Sequence, residues 1–364
     1  MKGLDLQIVE RSLQFKKPAG TSRGALTEKP SFYLIARDLE EDGRVGIGEC
    51  SLIPGLSPES APRARMELKK LAASGSLDPK AMSLQYPAVK FAAEMALIDL
   101  LNEGTRTLFP GPFTEGKSAP INGLIWMGET GDMLSQASSL LERGFNTLKM
   151  KVGALDFDRE CECLAAIREI APSGEVTLRL DANGGLDDDD PNVTLAKLER
   201  LAAYDIHSME QPIRAGQWKK METICKASPI PIALDEELIG ISDTDLRRNM
   251  LHLIQPAYVI LKPSLLGGFV EANHWIDLAA EVGAKWWATS ALESNIGLNA
   301  ISQWAADAIA EEKNPMPQGL GTGSLFTNNI PSPLVVANGT IRMDQPETKA
   351  NGQLQEWDLS ELLS

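Results

Sequence analysis

Five residues able to carry charge recur along the middle of the chain at near-even intervals, each closing a short apolar run. They are Lys151, Asp181, Glu210, Asp235 and Lys262, spaced 30, 29, 25 and 27 residues apart, and a polar Ser290 follows 28 residues later. Three carboxylates drawn to one place repel one another, and burying them unpaired is costly. A hard dication with oxygen ligands relieves that cost. Mg2+ suits a site that keeps positions open for water and substrate, with Mn2+ as a substitute. Asp181, Glu210 and Asp235 are thus the candidate metal ligands, and Lys151 and Lys262 the candidate catalytic groups. Lys149 lies two residues before Lys151, so on a strand both face the same side while Met150 faces away. For Lys151 to act as a base near neutral pH, its pKa must fall by roughly 3 from about 10.4, or about 4 kcal/mol. A neighbouring Lys149 and a metal both push in that direction. Lys149, Asn183 and Ser290 share the same strand ends and are candidate substrate contacts.

Such residues must be presented by a repeating scaffold. Short apolar runs at 120–126, 147–151, 176–181, 208–210, 232–235, 258–262 and 286–290 alternate with amphipathic stretches of helical period. A repeat near one βα unit, held over six strand ends, argues for a parallel barrel whose site lies at the C-terminal ends of its strands. A doubly wound sheet would instead gather its functional residues near one switch point. A single acid or lysine at a strand end is ordinarily a salt bridge or a cap, but five in register on successive strands are not. The run Asp187–Asp190, ahead of Pro191, reads as a solvated, helix-capping stretch. Glu236 points away from the site if its strand continues, and toward Lys262 if the strand ends.

Residues 1–115 follow another grammar. Leu4–Val9 and Phe32–Arg37 alternate like half-buried antiparallel strands, Gly43–Cys50 reads as a third, and Val89–Leu101 has helical spacing. Lys17–Pro30 reads as a polar loop. The expected division is an α+β domain over 1–115, a barrel over 116–325, and a segment over 326–364 that returns to pack on the first domain.

Composition sets the outer limits. At 364 residues with 43% hydrophobic content the chain can fill a sizeable core. A net charge of −15 argues against nucleic-acid binding, which needs clustered Lys and Arg, and against anionic lipid. Only His207, His252 and His274 are present, so proton transfer falls to Lys, Asp or Glu. Cys50, Cys161, Cys163 and Cys225 have no zinc-like spacing and read as free thiols in a reducing cytoplasm. No stretch has the length of a signal-peptide core or a membrane span.

The motifs Lys149-Met150-Lys151, Leu178-Arg179-Leu180-Asp181-Ala182-Asn183, Met209-Glu210-Gln211-Pro212, Ala233-Leu234-Asp235-Glu236 and Leu261-Lys262-Pro263 occur in this order. The chain resembles, over nearly its whole length, the muconate-lactonising branch of the enolase superfamily. The resemblance implies a modified (β/α)7β barrel of TIM type with an N-terminal α+β capping domain. It also implies Mg2+ on Asp181, Glu210 and Asp235, and Lys151 and Lys262 on opposite sides of a small carboxylate substrate. Ser22–Pro30, Thr289–Asn295 and Gly319–Pro331 look like the stretches of a dehydratase within the branch. That enzyme aromatises a cyclohexadiene carboxylate by α-proton abstraction, on the way to menaquinone. There Lys151 would remove the proton and Lys262 would stay cationic, while Arg23 would meet the far end of the substrate. Racemases and epimerases of the branch use the same lysines. Dipeptide epimerases carry an Asp-x-Asp where this chain has Gly319-Leu320-Gly321-Thr322-Gly323. Mandelate-type racemases need a His where it has Trp286–Ser290. A non-catalytic metal-binding scaffold is the remaining alternative, and oligomeric state is left open.

Overall fold

A computed structural model of the chain describes residues 1–21, 24–39, 44–313, 315–344 and 356–363. The N-terminal part is an antiparallel sheet of β1 (Leu4–Thr21), β2 (Gly24–Asp38) and β3 (Val45–Ser51), in that order. The expected polar loop over Lys17–Pro30 is instead mostly paired strand: Ala19 faces Leu26 and Thr21 faces Gly24, past an irregularity between Gln14 and Ala19. Ladder hydrogen bonds are made by the backbone, so a polar, exposed stretch can extend a hairpin that apolar alternation alone does not reveal.

Helix α1 (Ala61–Ser74) and helix α2 (Pro87–Leu101) follow, each with Pro in its first turn, where a missing N–H is harmless. Twelve of the fifteen α2 residues are buried, because β3 covers one side and the barrel covers another. The close approach to β3 requires glycine. A Cβ on Gly48 would lie 1.9 Å from the Ala92 carbonyl oxygen, and one on Gly46 would lie 2.1 Å from that of Ala96. Glu59 caps α2, with Oε1 accepting from the backbone of Ala88 at 2.7 Å and of Val89 at 3.4 Å.

After the short β4 (Ala119–Pro120), the barrel begins with β5 (Gly123–Ile125). It continues through α3 (Thr130–Glu142), β6 (Thr147–Lys151), α4 (Phe157–Ile170), β7 (Thr177–Asp181), α5 (Pro191–Ala202) and β8 (Ile206–Glu210). After α6 (Trp218–Ala227) come β9 (Ile232–Leu234), α7 (Thr244–Ile254), β10 (Tyr258–Leu261), the single turn α8 (Pro263–Leu266), α9 (Phe269–Glu281), β11 (Lys285–Ala288) and α10 (Asn295–Ala308). Strands β5 to β11 are parallel neighbours in chain order. The eighth position is reduced to Gln318 and Gly319, which bridge in parallel to Ile121 and Thr289 and so close the ring. The architecture is a (β/α)7β barrel with a separate antiparallel N-terminal domain. Asp156, Asp190, Asp243 and Ser294 cap α4, α5, α7 and α10.

Asp187 departs from the solvated reading of its run. It is nearly buried and accepts from Arg214 (2.7 Å), Gln217 (2.8 Å) and Lys220 (2.5 Å), which hold its pKa down at about 2 against the opposing effect of burial. Beyond the barrel, Thr327 N donates to the Gln14 carbonyl at 2.9 Å, and Phe326 packs on Phe15. The hairpin β12 (Leu334–Ala337) and β13 (Thr340–Met343) pairs instead with β4. Among the described residues no helix is long and apolar enough to cross a membrane.

Burial pushes the Glu59 carboxyl up to about 7 from a usual 4.5, and its Oε2 has no partner. Between those values the folded protein keeps a proton that the unfolded chain has released, so stability falls as pH rises from about 4.5 to about 7. Unfolding free energies from urea titrations across that range should decline for the wild type by up to about 3 kcal/mol. Glu59→Gln should flatten this component, and parallel profiles would rule out Glu59 as its source.

Candidate active site

Lys149 and Lys151 project to one side of β6, as strand alternation requires. Lys149 Nζ lies 2.6 and 2.7 Å from the two Glu210 oxygens and 2.9 Å from Asp181 Oδ2. Lys151 Nζ lies 3.1 Å from Asp181 Oδ2 and also donates to Asn183 Oδ1. Lys151 faces Asp181 in the β6–β7 register, and Asp181 faces Glu210 in the β7–β8 register. Strand β9 ends at Leu234, and Glu236–Leu238 turn as a short 3-10 helix. Asp235 pairs with Lys262, which precedes α8. Glu236 thereby reaches the rim, where its Oε1 accepts from Asn183 Nδ2 at 3.0 Å.

The electrostatics follow from burial. Asp181, Glu210 and Asp235 are almost fully buried. Burial raises the carboxyl pKa of Asp181, but Lys149 and Lys151 outweigh it and hold the group far below the usual range. Glu210 is pushed up to about 8, first by burial and then by Asp181, despite Lys149. Glu236 rises to about 7 through burial and the adjacent Asp235. Burial pulls the Lys149 and Lys262 ammonium groups down, yet the facing carboxylates raise both above the ordinary lysine value.

Four carboxylates thus share three ammonium groups, and Glu236 Oε2 is buried without a hydrogen-bond partner. These are marks of an acid ring short of positive charge, and its all-oxygen donors fit a hard divalent cation. Among the described residues no three acid, His or Cys side chains are gathered as a closed metal cluster. Lys149 stands between Asp181 and Glu210, and Lys262 holds Asp235.

A cavity of about 900 Å3 opens over this rim. Lys149, Lys151, Asp181, Asn183, Glu236 and Lys262 line one part of it, and Phe15, Lys16 and Lys17 reach it from β1. Glu210 and Asp235 are not among the lining residues. Ser290 lines the wall, but its hydroxyl donates to Glu293 Oε2 at 2.6 Å and accepts from Thr322 Oγ1 at 2.8 Å. Arg23 lies outside the described residues. None of the three histidines lines the cavity: His207 stacks on Tyr258, while His252 and His274 are half-exposed on helices.

Sequence reasoning passed over Gln211 and Glu293. Gln211 holds a positive φ of 42° and is fully buried. Its Oε1 accepts from the backbone of Asp235 at 3.1 Å and of Glu237 at 3.3 Å, and its Nε2 donates to Glu237 Oε2 at 3.1 Å. It therefore orients the turn that carries Asp235. Its place directly after Glu210 was the available signal.

A capped parallel barrel with acids on three adjacent strands and lysines on the strands to either side defines an enzyme of the enolase type. Residues 132–348 match the family described as Enolase C-terminal domain-like. The o-succinylbenzoate synthase of Desulfotalea psychrophila is 45% identical, with 94% of this chain and 99% of that protein covered. The crystal structure of MenC from the same organism superposes with a TM-score of 0.81 at 41% identity, covering 94% of this chain and all of that one. The chain belongs to the enolase superfamily and, within it, to the o-succinylbenzoate synthase family. The L-Ala-D/L-Glu epimerase of Bacillus subtilis, at 20% identity and a TM-score of 0.80 over 99% of this chain and all of its own, shares the fold.

Lys149→Ala would leave Asp181 and Glu210 facing each other without their shared ammonium group. Removing one partner of a buried ion pair costs about 3–5 kcal/mol. Thermal unfolding in chelator should show that loss, and added divalent cation should recover more stability in the variant than in the wild type. A variant as stable as wild type in chelator would show that Lys149 does not carry the acids.

Proposed function

We propose that the chain is an o-succinylbenzoate synthase, a metal-dependent hydro-lyase. It converts 2-succinyl-6-hydroxy-2,4-cyclohexadiene-1-carboxylate to o-succinylbenzoate in menaquinone biosynthesis. The observation that carries this reading is the placement of Lys151 on β6 and Lys262 just after β10, both lining one cavity, with the three acid-bearing strands between them.

Asp181, Glu210 and Asp235 would hold Mg2+, or Mn2+ in its place. When bound, it supplies the positive charge that stabilises the anion formed at the substrate carboxylate. Lys149, engaged by both Asp181 and Glu210, keeps Asp181 ionised and holds the two acids in alignment. Lys151 is the base. Of the three lysines its side chain is the most open, at 14%, and its contacts are to Asp181 and Asn183. Its Nζ takes the α-proton. The ring C–O bond then breaks with its electron pair, and the proton on Lys151 leaves with the hydroxide as water. Lys262 keeps its own proton, because Asp235 and Glu236 hold it there, and presents a cation to the ring. Asn183, anchored between Lys151 and Glu236, and Ser290 border the substrate.

The reading includes a cytoplasmic setting, which the unpaired state of all four cysteines supports. It also includes the division into a cap over 1–115, a barrel over 116–325 and a returning segment over 326–364.

Purified chain with Mg2+ should aromatise the cyclohexadiene substrate, followed as loss of its absorbance. Racemisation of N-acylamino acids without any dehydration would transfer the site to the racemase branch. Lys151→Ala should lower kcat by about 10³-fold or more while calorimetry shows divalent-cation binding intact. An active variant would remove Lys151 from the role of base.

A further inference from the structure

A second cluster of buried charge lies where the N-terminal domain meets the barrel. Glu293 follows β11 and is fully buried. One of its oxygens accepts from Ser264 Oγ, two residues beyond Lys262, and the other accepts from Ser290 Oγ. Ser290 in turn accepts from Thr322. One carboxylate thus ties together the turns that follow β10, β11 and the short eighth strand. The Lys262 carbonyl accepts from Leu265 N at 2.8 Å and Leu266 N at 3.1 Å, so the set of the α8 turn fixes where the Lys262 side chain starts.

Across the interface, Lys29 of β2 is fully buried and donates to Ser31 Oγ at 3.0 Å and Ser51 Oγ at 2.6 Å. Ser51 Oγ reaches the Ala291 carbonyl at 3.4 Å, and Ser31 Oγ donates to Glu49 Oε1 at 3.0 Å. Glu49 accepts from Ser294 N (2.9 Å), Ser294 Oγ (2.6 Å) and Gly297 N (2.9 Å) at the start of α10. Glu49 and Glu293 are the carboxylates that offset the Lys29 charge. Nearby, Leu13, Ile53, Leu265, Ala291, Leu292 and Phe326 pack as an apolar cluster, so packing alone does not call for buried charge here. Fixed hydrogen-bond partners set register in a way that apolar contacts do not.

We propose that Lys29, Glu49 and Glu293 form a latch that registers the N-terminal hairpin against α8. Glu293 is a positioning residue for Lys262, and Lys29 is one for the hairpin residues Phe15, Lys16 and Lys17 that line the cavity. The latch rests on the proposed dehydration for its kinetic signature but not for its structural one.

Two readouts on the full chain test it. In Glu293→Gln, amide hydrogen exchange at Leu265 and Leu266 should speed up relative to the wild type, whatever the substrate. With Mg2+ and the cyclohexadiene substrate, the same variant should lose about 10- to 100-fold in kcat with KM within about twofold. Ser264→Ala, which removes a single buried hydroxyl from Glu293, should lose about 3- to 10-fold in kcat. Lys29→Met should show the opposite split, with KM raised about 10-fold and kcat largely kept. Unchanged exchange together with full kcat in Glu293→Gln overturns the latch. So does a kcat loss matched by an equal loss of divalent-cation affinity, which marks general damage. Faster exchange at Leu265 and Leu266 in a chain that never turns over the substrate upholds the latch and refutes the dehydration.

Discussion

The structure depends on one electrostatic problem, the burial of acids on neighbouring strands. Asp181, Glu210 and Asp235 lie almost out of water and within reach of each other's charge. In a medium that screens weakly, such a ring expels a carboxylate, protonates it or acquires cations. This protein acquires cations. Lys149 takes Asp181 and Glu210 together, Lys262 takes Asp235, and Lys151 takes the remaining side of Asp181. The charge is still not balanced, as the raised Glu210 and Glu236 show. A site left short of positive charge is one built for a further cation and an anionic substrate.

The barrel makes this arrangement affordable. Parallel strands deliver one residue each to a common rim, and the hydrogen-bonded register sets Lys151, Asp181 and Glu210 side by side. Supporting groups then fix what the strands only approximate. Gln211 holds the turn that bears Asp235, and Asn183 bridges Lys151 and Glu236. Below the acids, Arg179 lies 4.0 Å over the Trp287 ring and donates to the Pro317 carbonyl at 2.7 Å, filling the barrel interior. The eighth strand needs that anchor, since only Gln318 and Gly319 bridge the gap.

Several sets of polar contacts join the N-terminal domain to the barrel, three of them at the starts of α9 and α10. Lys90 and Arg247 share Glu271, Glu94 caps α9 through the backbone of Phe269 and Val270, and Glu49 caps α10. Each contact ends on an element that follows a rim strand. The cap therefore stands in a set relation to the cavity, and the side chains of Phe15, Lys16 and Lys17 are delivered there by a long hairpin.

Much of this was legible in the order of residues. The even spacing of acids and lysines, each closing an apolar run, determined the parallel barrel and the membership of the rim, because a strand end repeats once per βα unit. Alternation determined that Lys149 and Lys151 share a face. Other features were decided only in three dimensions. The hairpin over Lys17–Pro30 forms because backbone pairs with backbone, which polar side chains do not advertise. Glu236 faces the site because β9 stops one residue before Asp235, and a strand's end depends on neighbours distant in the chain. Glu293 and Lys29 are ordinary charged residues in sequence. They gain their meaning from burial against each other's domain, and burial belongs to the assembled fold.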